Sequence, residues 1–317
     1  MSAVPSRAIR FSEYGEPADV LREENVEIPD PPPGRVRIRV IATGLNPADW
    51  ELCRGFMPGT LPRGIGSDVA GTVDAIGDGV SDVAVGDLVF GSADFAGQAS
   101  AGAADVAILR SWYPVPDGLD PIEAATLPMV VTTAVWTLDL FDLRPGRTLL
   151  VHGAGGMVGY AAVQVALARG ARVIATAGPT FAGDLEGFGA AVTSYGDGMA
   201  EGVHELAGGD VDFVLDAPRP SKGAMPTLIA LAGGDPKRVV TISSHDEARR
   251  LGARVNLDEL LATGAFPDAG ILNDYAALAA EGRFRLPIAH TYSLDGWRDA
   301  MELSVSGHPR GKLVLLP

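Results

Sequence analysis

The sequence predicts an α/β protein built from a β-rich part and a doubly wound parallel sheet. Three observations predict it. The apolar run Leu149-Leu150-Val151-His152 breaks into Gly153-Ala154-Gly155-Gly156-Met157-Val158-Gly159 and then enters a helical pattern that ends near Arg169. A second apolar run, Arg172-Val173-Ile174-Ala175-Thr176, follows at once. Strand-like and helix-like stretches then alternate to about residue 243, whereas residues 1–122 read mostly as strands.

In the β-rich part, Ala8-Ile9-Arg10-Phe11 and Val36-Arg37-Ile38-Arg39-Val40 alternate as half-buried strands do. The loop Pro29-Asp30-Pro31-Pro32-Pro33-Gly34 separates them. Residues 69–76 and Leu88-Val89-Phe90 are further strands, divided by the turn signals Gly77-Asp78-Gly79 and Gly86-Asp87. The period changes near residue 121: 121–127 opens a helix, 130–140 forms another, and Pro145-Gly146 turns the chain toward the glycine run. Beyond it, strands are predicted at 148–152, 172–176, 191–194, 211–215 and 238–242, with helices at 155–169, 181–188, 199–207 and 222–232. The tail reads as a helix over 273–281, a strand over 288–292, a helix over 294–304 and a last strand over 312–316.

Strand, glycine turn, helix and strand in this order are the sequence form of a dinucleotide-binding βαβ unit. Glycines let the backbone turn sharply and approach a pyrophosphate, and the helix N-terminus offers it unpaired N–H groups and a positive dipole end. Gly153, Gly155, Gly156, Met157, Val158 and Gly159 are therefore the candidate cofactor-binding residues. A plain glycine turn between a strand and a helix is the alternative.

Composition narrows the class. The chain has 317 residues, of which 47% are hydrophobic, enough for two domains with sizeable cores. No apolar run is long enough to span a bilayer, and residues 1–10 lack the apolar core of a secretory signal. The only cysteine, Cys53, has no partner for a disulfide within the chain, and reads as a packed side chain. These features predict a cytoplasmic protein. A formal net charge of −15 argues against nucleic acid as a partner, because its phosphates would be repelled.

A set of motifs runs the length of the chain: Ile9-Arg10-Phe11-Ser12-Glu13-Tyr14-Gly15, Gly44-Leu45-Asn46-Pro47-Ala48-Asp49-Trp50, Gly66-Ser67-Asp68-Val69-Ala70-Gly71, Val85-Gly86-Asp87-Leu88-Val89-Phe90-Gly91, Val115-Pro116-Asp117-Gly118-Leu119, the glycine turn, and Ser306-Gly307-His308-Pro309-Arg310-Gly311-Lys312. In order and spacing they resemble the medium-chain dehydrogenase/reductase superfamily, in its zinc-free quinone-oxidoreductase-like branch. The resemblance implies a GroES-like β-rich catalytic domain over 1–122, completed by a return of about 285–317. A Rossmann NAD(P)-binding domain over 123–284 would lie between these parts, with the active site in the cleft between the two domains.

Zinc relatives of this superfamily carry Cys and His near the start and a Gly-His-Glu motif. The matching positions here are Asn46-Pro47-Ala48-Asp49 and Gly66-Ser67-Asp68, with neither Cys nor His. No metal is expected. Without a Lewis acid to polarise an alcohol oxygen, the remaining chemistry is hydride donation to an electron-poor carbon. The implied substrate is a small hydrophobic conjugated molecule, a quinone or an α,β-unsaturated carbonyl. By resemblance Asn46, Asp49 and Thr133 are the catalytic candidates, with Met129 and Val130 lining the cleft. Asp49 equally suits a helix cap, and Thr133 a core helix threonine. Met57 stands where several relatives carry a tyrosine, and it cannot donate a proton.

The cofactor implied is NADPH. The end of the second strand, Thr176-Ala177-Gly178-Pro179-Thr180, has no acid to hold a ribose 2′-OH, and none follows until Asp184. Thr176, Thr180 and Tyr195 offer hydroxyls to a 2′-phosphate, and Arg310 and Lys312 offer charge. Ser243 ends the fifth strand near the expected nicotinamide, and Arg219 enters an altered loop after the fourth. His152 is expected to make one local hydrogen bond. Residues 255–264 have helix spacing where many relatives pair an edge strand, so both monomer and homodimer stay open. The function implied is an NADPH-dependent, zinc-independent reductase. The alternatives are a tailoring enoyl or keto reductase of a polyketide-type pathway and, outside enzymes, a dinucleotide-binding redox sensor.

Overall fold

The computed structural model describes residues 3–95, 98–219, 223–264, 270–307 and 309–317. His308 of the last motif and residue 222, the first of the helix predicted over 222–232, lie outside the described residues. The chain divides into two units, Met1–Met129 with Gly270–Pro317, and Val130–Ala269 between them. In chain order the strands are β1 (Val4–Phe11), β2 (Leu21–Ile28), β3 (Val36–Leu45), β4 (Arg63–Gly64), β5 (Asp68–Ile76), β6 (Leu88–Ala93) and β7 (Val106–Pro114), all in the first unit. The second unit holds β8 (Thr148–His152), β9 (Arg172–Thr176), β10 (Ala191–Thr193), β11 (Phe213–Asp216), β12 (Val239–Thr241) and β13 (Arg254–Val255). The chain then returns to the first unit with β14 (Ile288–Ser293) and β15 (Lys312–Leu316).

The first unit has a three-stranded sheet, β2-β1-β4, and a six-stranded one, β14-β15-β3-β5-β6-β7. β3 also pairs with β7, so β3, β5, β6 and β7 close on themselves. The returning strand β15 runs antiparallel to β3, with Leu313 opposite Leu45 and Leu315 opposite Thr43. Phe11, Trp50, Leu313, Leu315 and Trp297 pack in one core, so residues from both ends of the chain share it. Burying each such side chain is worth roughly 1.5–3 kcal/mol.

The second unit is a parallel sheet in the order β10-β9-β8-β11-β12-β13. The chain reverses direction across the sheet between β8 and β11, and ligands of such sheets bind outside the strands' carboxyl ends at that point. Leu150, Ile174, Val214 and Val239 fill the core from four adjacent strands. The sixth strand is only two residues long, and Asn256–Thr263 is a helix, as its spacing predicts. Among the described residues no helix is long and apolar enough to cross a membrane.

Candidate active site

The glycine turn lies where β8 meets the helix Met157–Ala168. Gly153 takes the left-handed region at φ +77°, and a Cβ there would strike Pro218 at 2.6 Å. Gly159 lies against the turn itself: a Cβ would come within 2.6 Å of the Gly153 carbonyl oxygen and 2.9 Å of the Ala154 Cα. Gly155 and Gly156 differ. A Cβ on Gly155 would have Phe181 at 3.8 Å, and one on Gly156 the Gly153 carbonyl oxygen at 3.5 Å, both ordinary contacts. These two glycines therefore leave space on their outer side. Gly156 is exposed and is the N-cap of the helix, whose first N–H groups have no acceptor within the helix. Met157 and Val158, half-buried, form its first turn. An open backbone cradle facing helix amides suits a pyrophosphate.

The strand ends brace this turn. Thr176 Oγ1 accepts from the Gly153 amide at 3.0 Å and lies 2.9 Å from His152 Nδ1. Thr176 is fully buried, so its hydroxyl holds the turn in place and is not offered to a phosphate. His152 makes the local hydrogen bond expected of it. Asp216, opposite His152 on β11, accepts from Thr241 Oγ1 at 2.7 Å. Burial raises Asp216 and lowers His152 from their ordinary values. Ser243 Oγ donates to the Pro218 carbonyl. Beyond β9 is an open pocket of about 370 Å³, lined by Gly178, Pro179, Thr193, Ser194, Tyr195 and Glu186 among others. Tyr195 is exposed there, and so is Thr180 on the neighbouring helix Pro179–Phe188. Asp184, the first acid after β9, accepts from the Tyr160 hydroxyl at 3.0 Å.

The second constellation lies within the first unit. Pro47 opens the helix Pro47–Cys53, and its missing N–H suits that position. Asp49, third in the helix, reaches back so that its Oδ2 accepts from the Asn46 amide at 2.8 Å. Its Oδ1 accepts from the Gly66 and Ser67 amides at 3.0 and 3.3 Å. The cap reading of Asp49 is thus the observed geometry. Burial pushes Asp49 up to about 6, against the opposing pull of the Asn46 and Gly66 amides. Asn46 Nδ2 donates to Asp68 Oδ2 at 2.9 Å and to the Gly44 carbonyl at 3.2 Å, while its Oδ1 accepts from Lys312 Nζ at 2.7 Å. Asp68 also accepts from the Met129 amide at 3.1 Å and from Ser67 Oγ at 3.3 Å.

Lys312 corrects an expectation. Proposed from sequence as charge for a cofactor phosphate, it is 3% exposed, with its ammonium on the Leu45 carbonyl at 3.0 Å and on Asn46, and 3.9 Å from Asp68. An ammonium this buried, with two of its three N–H groups on carbonyl oxygens and a carboxylate nearby, is not presented to a phosphate. Burial holds Lys312 below and Asp68 above their ordinary values, and their mutual attraction opposes both shifts. Arg310 is exposed, at φ +56°. Thr133 is half-buried on the helix Leu127–Asp139, and Arg219 is exposed after β11. Met57 is 54% exposed at φ +58°, its carbonyl held by Arg63 at 2.8 Å. Cys53 is fully buried, and burial pushes its thiol up to about 12, so it is an inert packing group. Asp68 was missed by sequence reasoning, although its Gly-Ser-Asp motif marked it. Among the described residues no group of three or more His, Cys, Asp or Glu is placed to hold a metal ion.

Comparisons with known proteins agree with this architecture. Residues 32–111 match the family model of the alcohol dehydrogenase GroES-like domain, and residues 188–315 that of the zinc-binding dehydrogenases. Quinone oxidoreductase of Rattus norvegicus is 38% identical over 177 residues, 54% of this chain and 53% of that protein, so the match spans about half of its length. The chloroplast envelope quinone oxidoreductase homolog of Arabidopsis thaliana is 28% identical over 98% of both chains. The solved quinone oxidoreductase of Coxiella burnetii superposes with a TM-score of 0.82, at 26% identity, over 99% of this chain and 100% of that one. The chain belongs to the medium-chain dehydrogenase/reductase superfamily.

Proposed function

We propose that this chain is an NADPH-dependent, zinc-independent reductase that delivers a hydride to a quinone or an α,β-unsaturated carbonyl. The observation that carries the reading is the open cradle at Gly155 and Gly156, at the carboxyl end of β8 in a sheet of dinucleotide-binding order. A bound nicotinamide dinucleotide supplies the hydride. Gly155, Gly156 and the first amides of Met157–Ala168 hold its pyrophosphate. Gly153 and Gly159 keep the turn tight enough for that approach, and Thr176 fixes it from behind.

The preference for the 2′-phosphate rests on the end of β9. Residues 177–180 carry no acid, Asp184 is engaged with Tyr160, and the Thr180 and Tyr195 hydroxyls stand exposed nearby. In the first unit Asn46, Asp49, Ser67 and Asp68 are bound to one another and to Lys312, an arrangement of hydrogen-bonding groups rather than a ligand set. Such a site suits a conjugated acceptor, whose developing negative charge is spread over the conjugated system and needs only positioned donors.

The test is titration of the purified protein with NADPH and NADH, followed by oxidation assays on a panel of quinones and enones. NADPH is expected to bind roughly tenfold tighter than NADH, a difference of about 1.4 kcal/mol, with turnover on at least one acceptor. Failure to bind either nucleotide would overturn the dinucleotide assignment. Tight binding without turnover would overturn the reductase and leave a sensor.

A further inference from the structure

Lys312 is the one charged residue in β15, beside the buried Leu313, Val314 and Leu315. An apolar side chain there would avoid the cost of burying an ammonium but would leave the buried Asp68 carboxylate without its nearby cation. Neutralising Asp68 does not by itself account for the lysine, because the ammonium does not sit directly on it. Lys312 Nζ is 2.7 Å from Asn46 Oδ1 and 3.9 Å from Asp68 Oδ2. The cation meets the amide oxygen first, and the amide nitrogen passes on to the carboxylate at 2.9 Å. An ammonium only donates and a carboxylate only accepts, so this chain of contacts permits one orientation of the Asn46 amide. The Gly44 carbonyl takes the remaining amide hydrogen at 3.2 Å, which closes the set. The Asp68 end of the chain also fixes the Met129 amide, four residues before Thr133 on one helix.

We propose that Lys312 is a positioning residue, locking the Asn46 amide in one orientation by clamping it between an ammonium and the Asp68 carboxylate. The inference rests on the reductase reading for its effect on turnover, though not for the clamp itself. Lys312 acts through Asn46 and Asp68.

The experiment compares the wild type with Lys312→Met, which keeps the length and removes the charge, and with Lys312→Met/Asp68→Asn, which removes both charges. Dinucleotide affinity, kcat, KM and melting temperature are measured, together with hydrogen exchange of the Asn46 side-chain amide by NMR. Lys312→Met is expected to lower kcat at least about tenfold with dinucleotide affinity unchanged, and to speed Asn46 amide exchange at least about tenfold. The double variant is expected to recover the melting temperature but not kcat. It also carries the test if the single variant does not fold. Retention of kcat by Lys312→Met, or its recovery in the double variant, would show that Lys312 only balances charge. A wild type that binds dinucleotide and reduces no acceptor sinks the reductase reading alone. The exchange rates then decide the clamp, and equal rates in wild type and variant overturn it.

Discussion

Asp49 carries a carboxylate into a buried place that offers it backbone amides. The amides favour the ion, burial disfavours it more, and the balance sets its value at about 6 against an ordinary 3.8. The folded chain therefore holds the Asp49 proton more tightly than the unfolded chain does. This contribution to stability is fully present below about pH 3.8 and is lost as pH rises through about 6, with a size on the order of 3 kcal/mol. Urea unfolding between pH 4 and pH 6.5 isolates it when the wild type is compared with Asp49→Asn, which cannot titrate. The wild type is expected to lose stability relative to the variant across this window, and parallel curves would refute the assignment. Residue-scale chemistry was only half legible in the sequence. Asn46 and Asp49 lie three residues apart, within one turn, and local spacing exposed them. Asp68 and Lys312 join Asn46 across 22 and 266 residues, and no local pattern reports a hydrogen bond of that span.

At the scale of elements, the glycine turn separates two jobs that its sequence runs together. Gly159 serves the fold, because any side chain would collide with the backbone of its own turn. Gly156 serves the ligand: its φ of −80° suits any residue, and a Cβ there would meet only ordinary contacts, the Gly153 and Ala217 carbonyl oxygens at 3.5 and 4.0 Å. Gly156→Val is therefore expected to fold, with a melting temperature within a few degrees of wild type, and to bind NADPH at least roughly a hundredfold more weakly, about 2.7 kcal/mol. Gly159→Val is expected to lose roughly 1–3 kcal/mol of stability through overpacking. Calorimetry and nucleotide titration of both variants check the pair, and undiminished NADPH binding by Gly156→Val would remove the cradle from the ligand. The strand β8, the turn and the helix after it were legible because apolar runs and glycines alternate sharply there. β2 was not. Leu21-Arg22-Glu23-Glu24-Asn25-Val26-Glu27-Ile28 buries only its two ends and pairs with β1 alone, so its sequence carries no alternation to read. Long-range pairing, not its own pattern, makes it a strand.

At the scale of the molecule, the first unit is made from two distant pieces of chain. Its last strand is not an edge: β15 lies between β14 and β3, and it brings Leu313, Val314 and Leu315 into the core along with the Lys312 ammonium. The three apolar side chains together are worth roughly 5–9 kcal/mol by burial. That is comparable to the whole stability of a typical domain, about 5–15 kcal/mol. The six strands of the second unit and the core cluster around Leu150 and Val214 come from Val130–Ala269. A chain ending at Gly311 is therefore expected to lose the first unit and keep the second. Limited proteolysis followed by mass spectrometry reads this directly: the truncated chain should leave a resistant fragment close to residues 130–269, while the full chain resists over both units. If both chains are cut at the same sites and rates, β15 is dispensable to the fold of the first unit.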